Sequence, residues 1–196
     1  MAFIQQRQNE TVSFSGRTKK IDYVIPNSVI AITGWAFAYC HFNSVTIPDS
    51  VTEIHACSFF LCENLTSINF SRSIVNLDFL YYCYNIAEIT IHPDNPKYAV
   101  EDGVLFNKNK TELLFYPWKR LNVNQQTESG ISYTIPDSVI KIRDGAFVGF
   151  RNQYLTSILI PKSVISVGDN DFDFCSVTVH SDNPFYASEN GKLIEK

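Results

Sequence analysis

The sequence contains no long hydrophobic run and no run of basic residues. Its apolar stretches fall far short of the ~18–20 residues that a transmembrane helix needs, so we expect no membrane insertion. The amino terminus, MAFIQQRQNETVSF, has neither the basic stretch nor the apolar core of a classical secretion signal. Lys and Arg number 16 against 20 Asp and Glu, a net charge of −4. Because the sequence has no cluster of Lys and Arg residues that could bind the phosphate backbone, we expect no nucleic-acid partner.

Charged residues are also scarce, at 18% of the 196 residues, where soluble chains average ~25%. Aromatic residues are abundant by contrast, at 14%, and include 15 Phe and 10 Tyr. With 45% apolar residues, the chain can bury enough surface to offset the entropy lost on folding. We therefore expect an ordered protein whose core uses aromatic side chains systematically.

An internal repeat accounts for this composition. The segment Ile25–Cys40 aligns without gaps on Ile47–Cys62, 22 residues later. Further copies are Ile135–Phe150 and Ile160–Cys175, and a version two residues shorter is Phe70–Cys83. Five copies of one short unit predict a stacked repeat architecture, which must be recognised before any other element is assigned.

A longer period lies over the short one. The segment Ile91–Lys108 matches Val179–Lys196 at an offset of 88 residues, with 10 identities in 18 positions. The chain is thus expected to hold two super-repeats, of which the second is truncated. The predicted organisation is an N-terminal extension or cap at 1–20 and a single solenoid at 21–196, with super-repeats 47–134 and 135–196.

Each repeat unit contains the pattern of a half-buried strand. Apolar and polar residues alternate in Val45-Thr46-Ile47 and in Ile68-Asn69-Phe70. The proline that usually follows removes a ladder donor, so the strand ends there. One unit has too few apolar residues to bury a face alone, so successive coils must stack ~4.8 Å apart. One aromatic column is then predicted at Phe37, Phe59, Leu80, Phe147 and Phe172.

The cysteines follow the same repeat. A second column holds Cys40, Cys62, Cys83 and Cys175, with Phe150 in the equivalent place in the remaining copy. No C-x2-C pair is available to bind zinc. Small buried hydrophobic residues are the favoured interpretation, although neighbouring coils would bring these thiols near disulfide distance. Cys57 lies outside the column.

The unit, seen best in IPDSVTEIHACSFFLCENLTSI (Ile47–Ile68), resembles the BspA-like class of leucine-rich repeats. The segment DNPKYAVEDGVLFNKNKTELLFYP (Asp94–Pro117) is similar to the hairpin insertion of that family. The resemblance implies a right-handed leucine-rich-repeat solenoid, mostly β with short helical or 3-10 segments. It would carry one β-hairpin insertion at about 92–130 and a second, truncated copy.

The same resemblance implies a function. Members of the family are commonly surface or secreted proteins that bind host proteins or other cells, so a non-catalytic protein-binding module used in adhesion or cell-surface recognition is the leading hypothesis. An intracellular, cytoplasmic scaffold for protein–protein interaction is the alternative. The reduced thiols expected in the cysteine column and the lack of a visible export signal favour that alternative.

Strand positions that face away from the core form the candidate binding row, because a solenoid presents one such side chain per coil. A solvated β-surface without a ligand is the alternative, since Thr is favoured in strands anyway. The row consists of Val24, Thr46, Asn69, Thr90, Thr134, Leu159 and Thr178.

Two further places are candidates for partner contact. Trp118, beside Lys119 and Arg120, could anchor a partner at an exposed bend, or it could cap the coil beneath. Within the insertion, the apolar triplets 104–106 and 113–115 predict a hairpin with a four-residue loop at Asn107–Lys110. In the second copy of the insertion, Gly191–Ile194 would form a strand with an unpaired edge. We therefore predict either that this chain is a piece of a longer solenoid or that it self-associates through its carboxyl end.

Catalytic and metal-binding patterns are absent from the sequence. Among the histidines His41, His55, His92 and His180, the last two are equivalent repeat positions, which is typical of structural residues. The acidic segment Asp169–Asp173 lacks the Gly and Glu of a calcium loop. We therefore expect no enzymatic activity, no cofactor and no metal site.

Overall fold

The computed structural model describes residues 20–77, 83, 85–117, 130–147, 155–169, 172 and 174–196. The regular structure of these residues consists of sixteen β-strands. The chain divides into two compact units, Met1–Asn95 (unit 1) and Pro96–Lys196 (unit 2). Both units are built as a β-solenoid, in which strands of successive coils pair in parallel.

Unit 1 contains two parallel sheets. Strands β1, β3, β5 and β6 lie side by side in that order, and β2 pairs with β4. Proline follows both β1 and β3 after a single residue, which ends these strands as predicted. The strands are β1 (Asp22–Val24), β2 (Ala31–Ile32), β3 (Ser44–Thr46), β4 (Glu53–Ile54), β5 (Ser67–Phe70) and β6 (Glu88–Ile91).

Unit 2 contains ten strands in three sheets. They are β7 (Tyr98–Glu101), β8 (Val104–Asn107), β9 (Glu112–Phe115), β10 (Ile131–Thr134), β11 (Lys141–Ile142), β12 (Leu155–Ile160), β13 (Ser166–Val167), β14 (Ser176–Val179), β15 (Tyr186–Glu189) and β16 (Lys192–Glu195). The sheet orders are β10-β12-β14, all parallel, then β13-β11-β9-β8-β7, and β15-β16.

The predicted alternation of inward and outward side chains is confirmed. Val45, Ile68 and Ile89 are aligned in register on neighbouring strands of unit 1, and all three are buried. Asn69 and Thr90, one residue further along β5 and β6, are exposed. One face of the sheet therefore covers the core, and the other faces solvent.

The aromatic column is also found where the repeat places it. The rings of Phe37 and Phe59 stack in unit 1 with their centroids 5.3 Å apart. In unit 2 the rings of Phe147 and Phe172 are 5.5 Å apart. Leu80 lies outside the described residues. Each unit thus packs equivalent side chains of successive coils directly against one another.

The segments that follow β2 and β4 are runs of turns in the described residues, where short helical or 3-10 segments were expected. Trp35 and Tyr39 have positive φ angles of 66° and 59°, and the equivalent Cys57 and Leu61 have 61° and 51°. A left-handed residue at every fourth position breaks a right-handed helix. The backbone conformation of the coil, which repeats with the sequence, therefore excludes regular helix here.

The hairpin insertion has a four-residue loop, as predicted, but the loop begins one residue later than Asn107–Lys110, and the insertion has one additional strand. Strands β8 and β9 are antiparallel, and four residues, 108–111, connect them. The Asn107 carboxamide oxygen closes this loop by accepting the backbone N–H groups of Thr111 at 2.8 Å and Glu112 at 3.0 Å. Strand β7 pairs with the other edge of β8, and β9 pairs in parallel with β11. The insertion is thereby joined to the stacked coils.

The second copy of the insertion contains the antiparallel pair β15–β16. These two strands form a sheet of their own among the described strands, so β16 has one outer edge. Gly191 lies in the tight turn between them with a φ of 77°. Residues with a side chain rarely adopt such a positive φ, so glycine suits this position. Self-association through this edge stays a prediction, and so does one continuous solenoid over residues 21–196.

Candidate protein-binding surface

The predicted row is assembled in unit 1 by the register of the parallel strands. Thr46 is aligned with Asn69, and Asn69 is aligned with Thr90. Neighbouring strands lie ~4.8 Å apart, so these side chains form one line across the sheet. Val24 extends the line on β1, where it is 65% exposed. The line offers hydroxyl and amide groups that can donate and accept hydrogen bonds without carrying charge.

A second outward row, absent from the sequence interpretation, runs parallel to the first. Asp22, Ser44, Ser67 and Glu88 are aligned on the four strands, two residues before the predicted row. The Ser44 hydroxyl donates to an Asp22 carboxylate oxygen at 2.6 Å. The period of two along each strand could have revealed this row, because residues i and i+2 share a face. The outer face is therefore about twice as wide as the single row.

The carboxyl ends of these strands border a groove of about 790 Å³. Thr46, Asn69 and Thr90 line its sheet side. The turns that follow the strands form the remaining wall and contribute Pro48, Asp49, Ser50, Ser71, His92 and Pro93, while Asn27 lies at one end. The groove thus joins the predicted row to polar turn residues that the sequence interpretation did not include.

Asp49 carries a fixed negative charge at the edge of this groove. The side-chain Nε of Arg72 lies 2.7 Å from one carboxylate oxygen, and the Arg72 backbone N–H donates to the other at 3.1 Å. Partial desolvation raises the pKa of Asp49. The hydrogen bonds from Arg72 and the nearby charges of Arg72 and His92 outweigh this effect, so the pKa lies below its ordinary value.

The histidines of the repeat have a structural role in their turns. The His92 ring Nδ1 accepts the backbone N–H of Asp94 at 3.2 Å, and His180 accepts that of Asp182 at 3.1 Å. An Nδ1 that accepts a hydrogen bond places the ring proton on Nε2 in the neutral form. The same local contact in both copies agrees with the interpretation of these residues as structural.

Unit 2 presents an equivalent face. Thr134 is aligned with Leu159, and Leu159 with Thr178, on the parallel strands β10, β12 and β14. Two residues before them, the Ser157 hydroxyl donates to the Ser132 hydroxyl at 2.8 Å. All seven residues of the row are therefore located on outward strand positions of these two faces. The remaining candidate, Trp118, lies outside the described residues, together with Lys119 and Arg120.

An exposed aromatic cluster in unit 1 was not anticipated. The Trp35 ring lies 4.8 Å from the Phe60 ring, and the Tyr39 ring lies 5.9 Å from it. Trp35 and Tyr39 are 57% and 50% exposed. The signal in the sequence is partial, because Trp35 has the equivalents Cys57, Gly145 and Asn170, none of them aromatic, whereas the position of Tyr39 is aromatic again at Tyr82 and Phe174.

Within residues 20–77, 85–117 and the later described segments, no group of three His, Cys, Asp or Glu side chains is arranged to hold a metal ion. The same part of the chain contains no helix with the length and hydrophobicity that a membrane crossing requires.

Comparisons with known proteins agree with the repeat. The family model of the BspA type leucine rich repeat region matches residues 9–116 and 122–183, in six copies. A comparison with curated protein sequences finds no match.

Two solved structures share the fold. The pneumococcal vaccine antigen PcpA has a TM-score of 0.55 at 18% identity, over 83% of this chain and 48% of that one. A leucine-rich repeat protein from Eubacterium ventriosum ATCC 27560 has a TM-score of 0.53 at 22% identity, over 81% and 54% respectively. The chain spans about half the length of these proteins. Together with the family match, the repeat architecture supports a module for protein interaction.

Proposed function

Because the chain belongs to the BspA-type leucine-rich repeat family, we propose that it is a non-catalytic module that binds another protein in adhesion or cell-surface recognition. The binding surface would be the outward face of the parallel sheets. Its most important part is the line Thr46, Asn69 and Thr90 in unit 1, with Thr134, Leu159 and Thr178 as the equivalent line in unit 2. A host or cell-surface protein is the proposed partner, and the proposed location is the cell surface or the extracellular space.

The observation that carries this proposal is the groove beside the row. A groove of about 790 Å³, lined by hydroxyl, amide and carboxylate groups, can satisfy the polar groups of a partner and still exclude water over the flanking prolines. Rigidity supports the same function, because side chains on paired strands lose little further freedom when they bind.

The fold neighbour PcpA, described as a pneumococcal vaccine antigen, is consistent with a location where antibodies have access. Regular coils also supply few convergent polar groups for chemistry, which supports a binding function over catalysis. Trp118 stays a proposed anchor, because a tryptophan beside two basic residues is typical of an interface contact.

The test is binding of the fluorescently labelled chain to cultured epithelial cells. The triple variant Thr46→Arg, Asn69→Arg and Thr90→Arg introduces bulk and charge along the row. We expect binding to weaken by roughly tenfold or more, which corresponds to ~1.4 kcal/mol or more. The matched control is Thr52→Arg with Asn64→Arg, two exposed residues of the same types outside the row. Equal binding by the wild type and the triple variant would refute the proposed surface.

An intracellular interaction scaffold is the second candidate. All five cysteines are thiols and none forms a disulfide, and thiols of this kind are typical of cytosolic proteins. Surface biotinylation of intact cells that express the native protein distinguishes the two candidates. Labelled protein supports the surface location, whereas protein that is found only in the cytosolic fraction supports the scaffold.

A further inference from the structure

The cysteine column brings two thiols together at one end of unit 1. Cys40 and Cys62 occupy equivalent positions of consecutive coils, and Cys83 follows in the next coil. Cys62 and Cys83 are buried, whereas Cys40 is only half-buried. The column is therefore reached from solvent at Cys40.

One carbonyl oxygen joins the two cysteines. The oxygen of Phe37 accepts the backbone N–H of Cys40 at 3.2 Å and the thiol of Cys62 at 2.9 Å. The Cys62 sulfur is thereby held against the backbone of Cys40. A side-chain hydrogen bond also connects the two sulfur atoms.

The coils around this pair are in strict register. The Phe37 N–H donates to the Ser58 oxygen at 2.8 Å, and the Tyr39 N–H donates to the Phe60 oxygen at 2.9 Å. Coils bonded in this way lie ~4.8 Å apart, inside the 4.4–6.8 Å range of Cα separations that a disulfide accepts. Bond formation therefore needs rotation of the two side chains and little movement of the backbone.

We propose that Cys40 and Cys62 form an oxidation site, at which a peroxide converts the two thiols into an inter-coil disulfide. A thiolate of the pair attacks the peroxide, the O–O bond breaks, and a sulfenic acid and one water form. The second thiol then attacks the sulfenic sulfur, the S–S bond forms and the S–O bond breaks, releasing a second water. Two electrons and two protons pass from the thiols to the peroxide, so the reaction is balanced.

The pairing is selective for these two cysteines. Hydrogen bonding between the two thiols lowers the pKa of Cys62 and raises the pKa of Cys40, so these two sulfur atoms interact as a pair. Burial raises the pKa of Cys83 and makes it inert. Its thiol also lies farther from the equivalent carbonyl, at 3.8 Å from the Phe59 oxygen. Cys57 is outside the column.

The disulfide would connect the first two described coils of unit 1. Neighbouring coils of a solenoid are held together by the interface that they share, and they can separate by local opening. A covalent bond between them limits this opening. Oxidation is therefore expected to stabilise unit 1, with little change in the outward face.

The test uses the intact chain, treated with hydrogen peroxide under native conditions. We expect a mass loss of about 2 Da and a rise in Tm of roughly 5–10 °C, both reversed by a reducing agent. Cleavage after Glu53 separates Cys40 from Cys62 in the sequence. The two fragments should therefore remain joined until they are reduced.

Single variants identify the partners. Cys40→Ser and Cys62→Ser should each abolish the mass loss, and Cys40→Ala serves as a second variant if the serine disturbs folding. Cys57→Ser and Cys175→Ser should leave it intact. Loss of 2 Da in the Cys40→Ser chain, or oxidation to sulfinic acid without linked fragments, would overturn the proposal.

Discussion

The rings of Phe37 and Phe59 are stacked, with centroids 5.3 Å apart and planes inclined by 12°. Both side chains are fully buried, and they occupy the same position of consecutive repeat units. The two rings can stack only because the two coils are in register, so the stack is direct evidence of solenoid packing. The Phe42 ring lies 5.7 Å from the Phe37 ring and packs against one side of the stack.

Truncation of this column should destabilise the protein strongly. Phe59→Ala removes a fully buried ring between two coils, and we expect a loss of about 3–5 kcal/mol in the free energy of unfolding. Phe59→Leu should cost about 1 kcal/mol, because most of the volume is kept. Urea denaturation measures both values. Phe185→Ala is the control, since Phe185 is 49% exposed, and a similar loss in that variant would contradict the stacked column.

Asn183 is expected to be essential for the second copy of the insertion. Its buried amide donates to the carbonyl oxygens of Pro161 and Val164, both at 2.9 Å. Its oxygen accepts the backbone N–H groups of Phe185 and Tyr186 at 2.9 and 2.8 Å. Asn183→Ala removes these four hydrogen bonds from a buried place and should cost roughly 3–5 kcal/mol.

Thermal unfolding provides the measurement for Asn183, and Asn64→Ala is the matched control. Asn64 is exposed and donates to the His41 oxygen at 3.5 Å, so its loss should lower stability by less than about 0.5 kcal/mol. If both alanine variants unfold at the same temperature, the buried Asn183 amide does not stabilise the second copy of the insertion as we infer.

Acid should weaken the ion pair at the groove. The folded-state pKa of Asp49 is below its ordinary value near ~3.9. Its stabilising contribution is therefore complete above about pH 4 and is lost as the pH falls through the lower folded value. NMR titration should place the Asp49 pKa below the ordinary range, and Arg72→Ala should raise it. An unchanged titration in Arg72→Ala, compared with Arg72→Lys as the charge-conserving control, would exclude Arg72 as the cause.

Strand β16 should mediate self-association of the 196-residue chain. Its outer edge belongs to a two-stranded sheet, and an exposed strand edge pairs readily with another chain. Sedimentation velocity should detect a concentration-dependent larger species. Ile194→Lys, at a residue that is 40% exposed, should reduce it because charged side chains oppose edge pairing. A monomer at every concentration would refute this prediction.

The sequence predicted the local structure well because the information was local and repeated. The alternation in Val45-Thr46-Ile47 depends on adjacent residues only, and its repetition at Ile68-Asn69-Phe70 determined which residues share a column. The hairpin followed in the same way from two flanking apolar triplets, although its four-residue loop was predicted at Asn107–Lys110 and lies one residue later, at Lys108–Thr111. The row Thr46, Asn69 and Thr90 was predicted by these same rules.

Other features depended on contacts between distant segments. Asp22 and Ser44 share a hydrogen bond across two coils, and a row built on such pairs is visible only once the strands are aligned. The left-handed residues Trp35 and Tyr39 have side chains that give no indication of a positive φ. Their conformation follows from the hydrogen bonds between stacked coils.

The amino-acid sequence by itself determined that this protein is a stack of short coils with a repeated insertion, because hydrophobic period and repeat length are properties of the chain. Only the tertiary structure decided that β9 pairs with β11, that Asp49 meets Arg72 beside the groove, and that Cys62 lies against Cys40. These contacts join residues 22–29 positions apart. Their geometry is fixed by the packing of one coil on the next, which no single segment encodes.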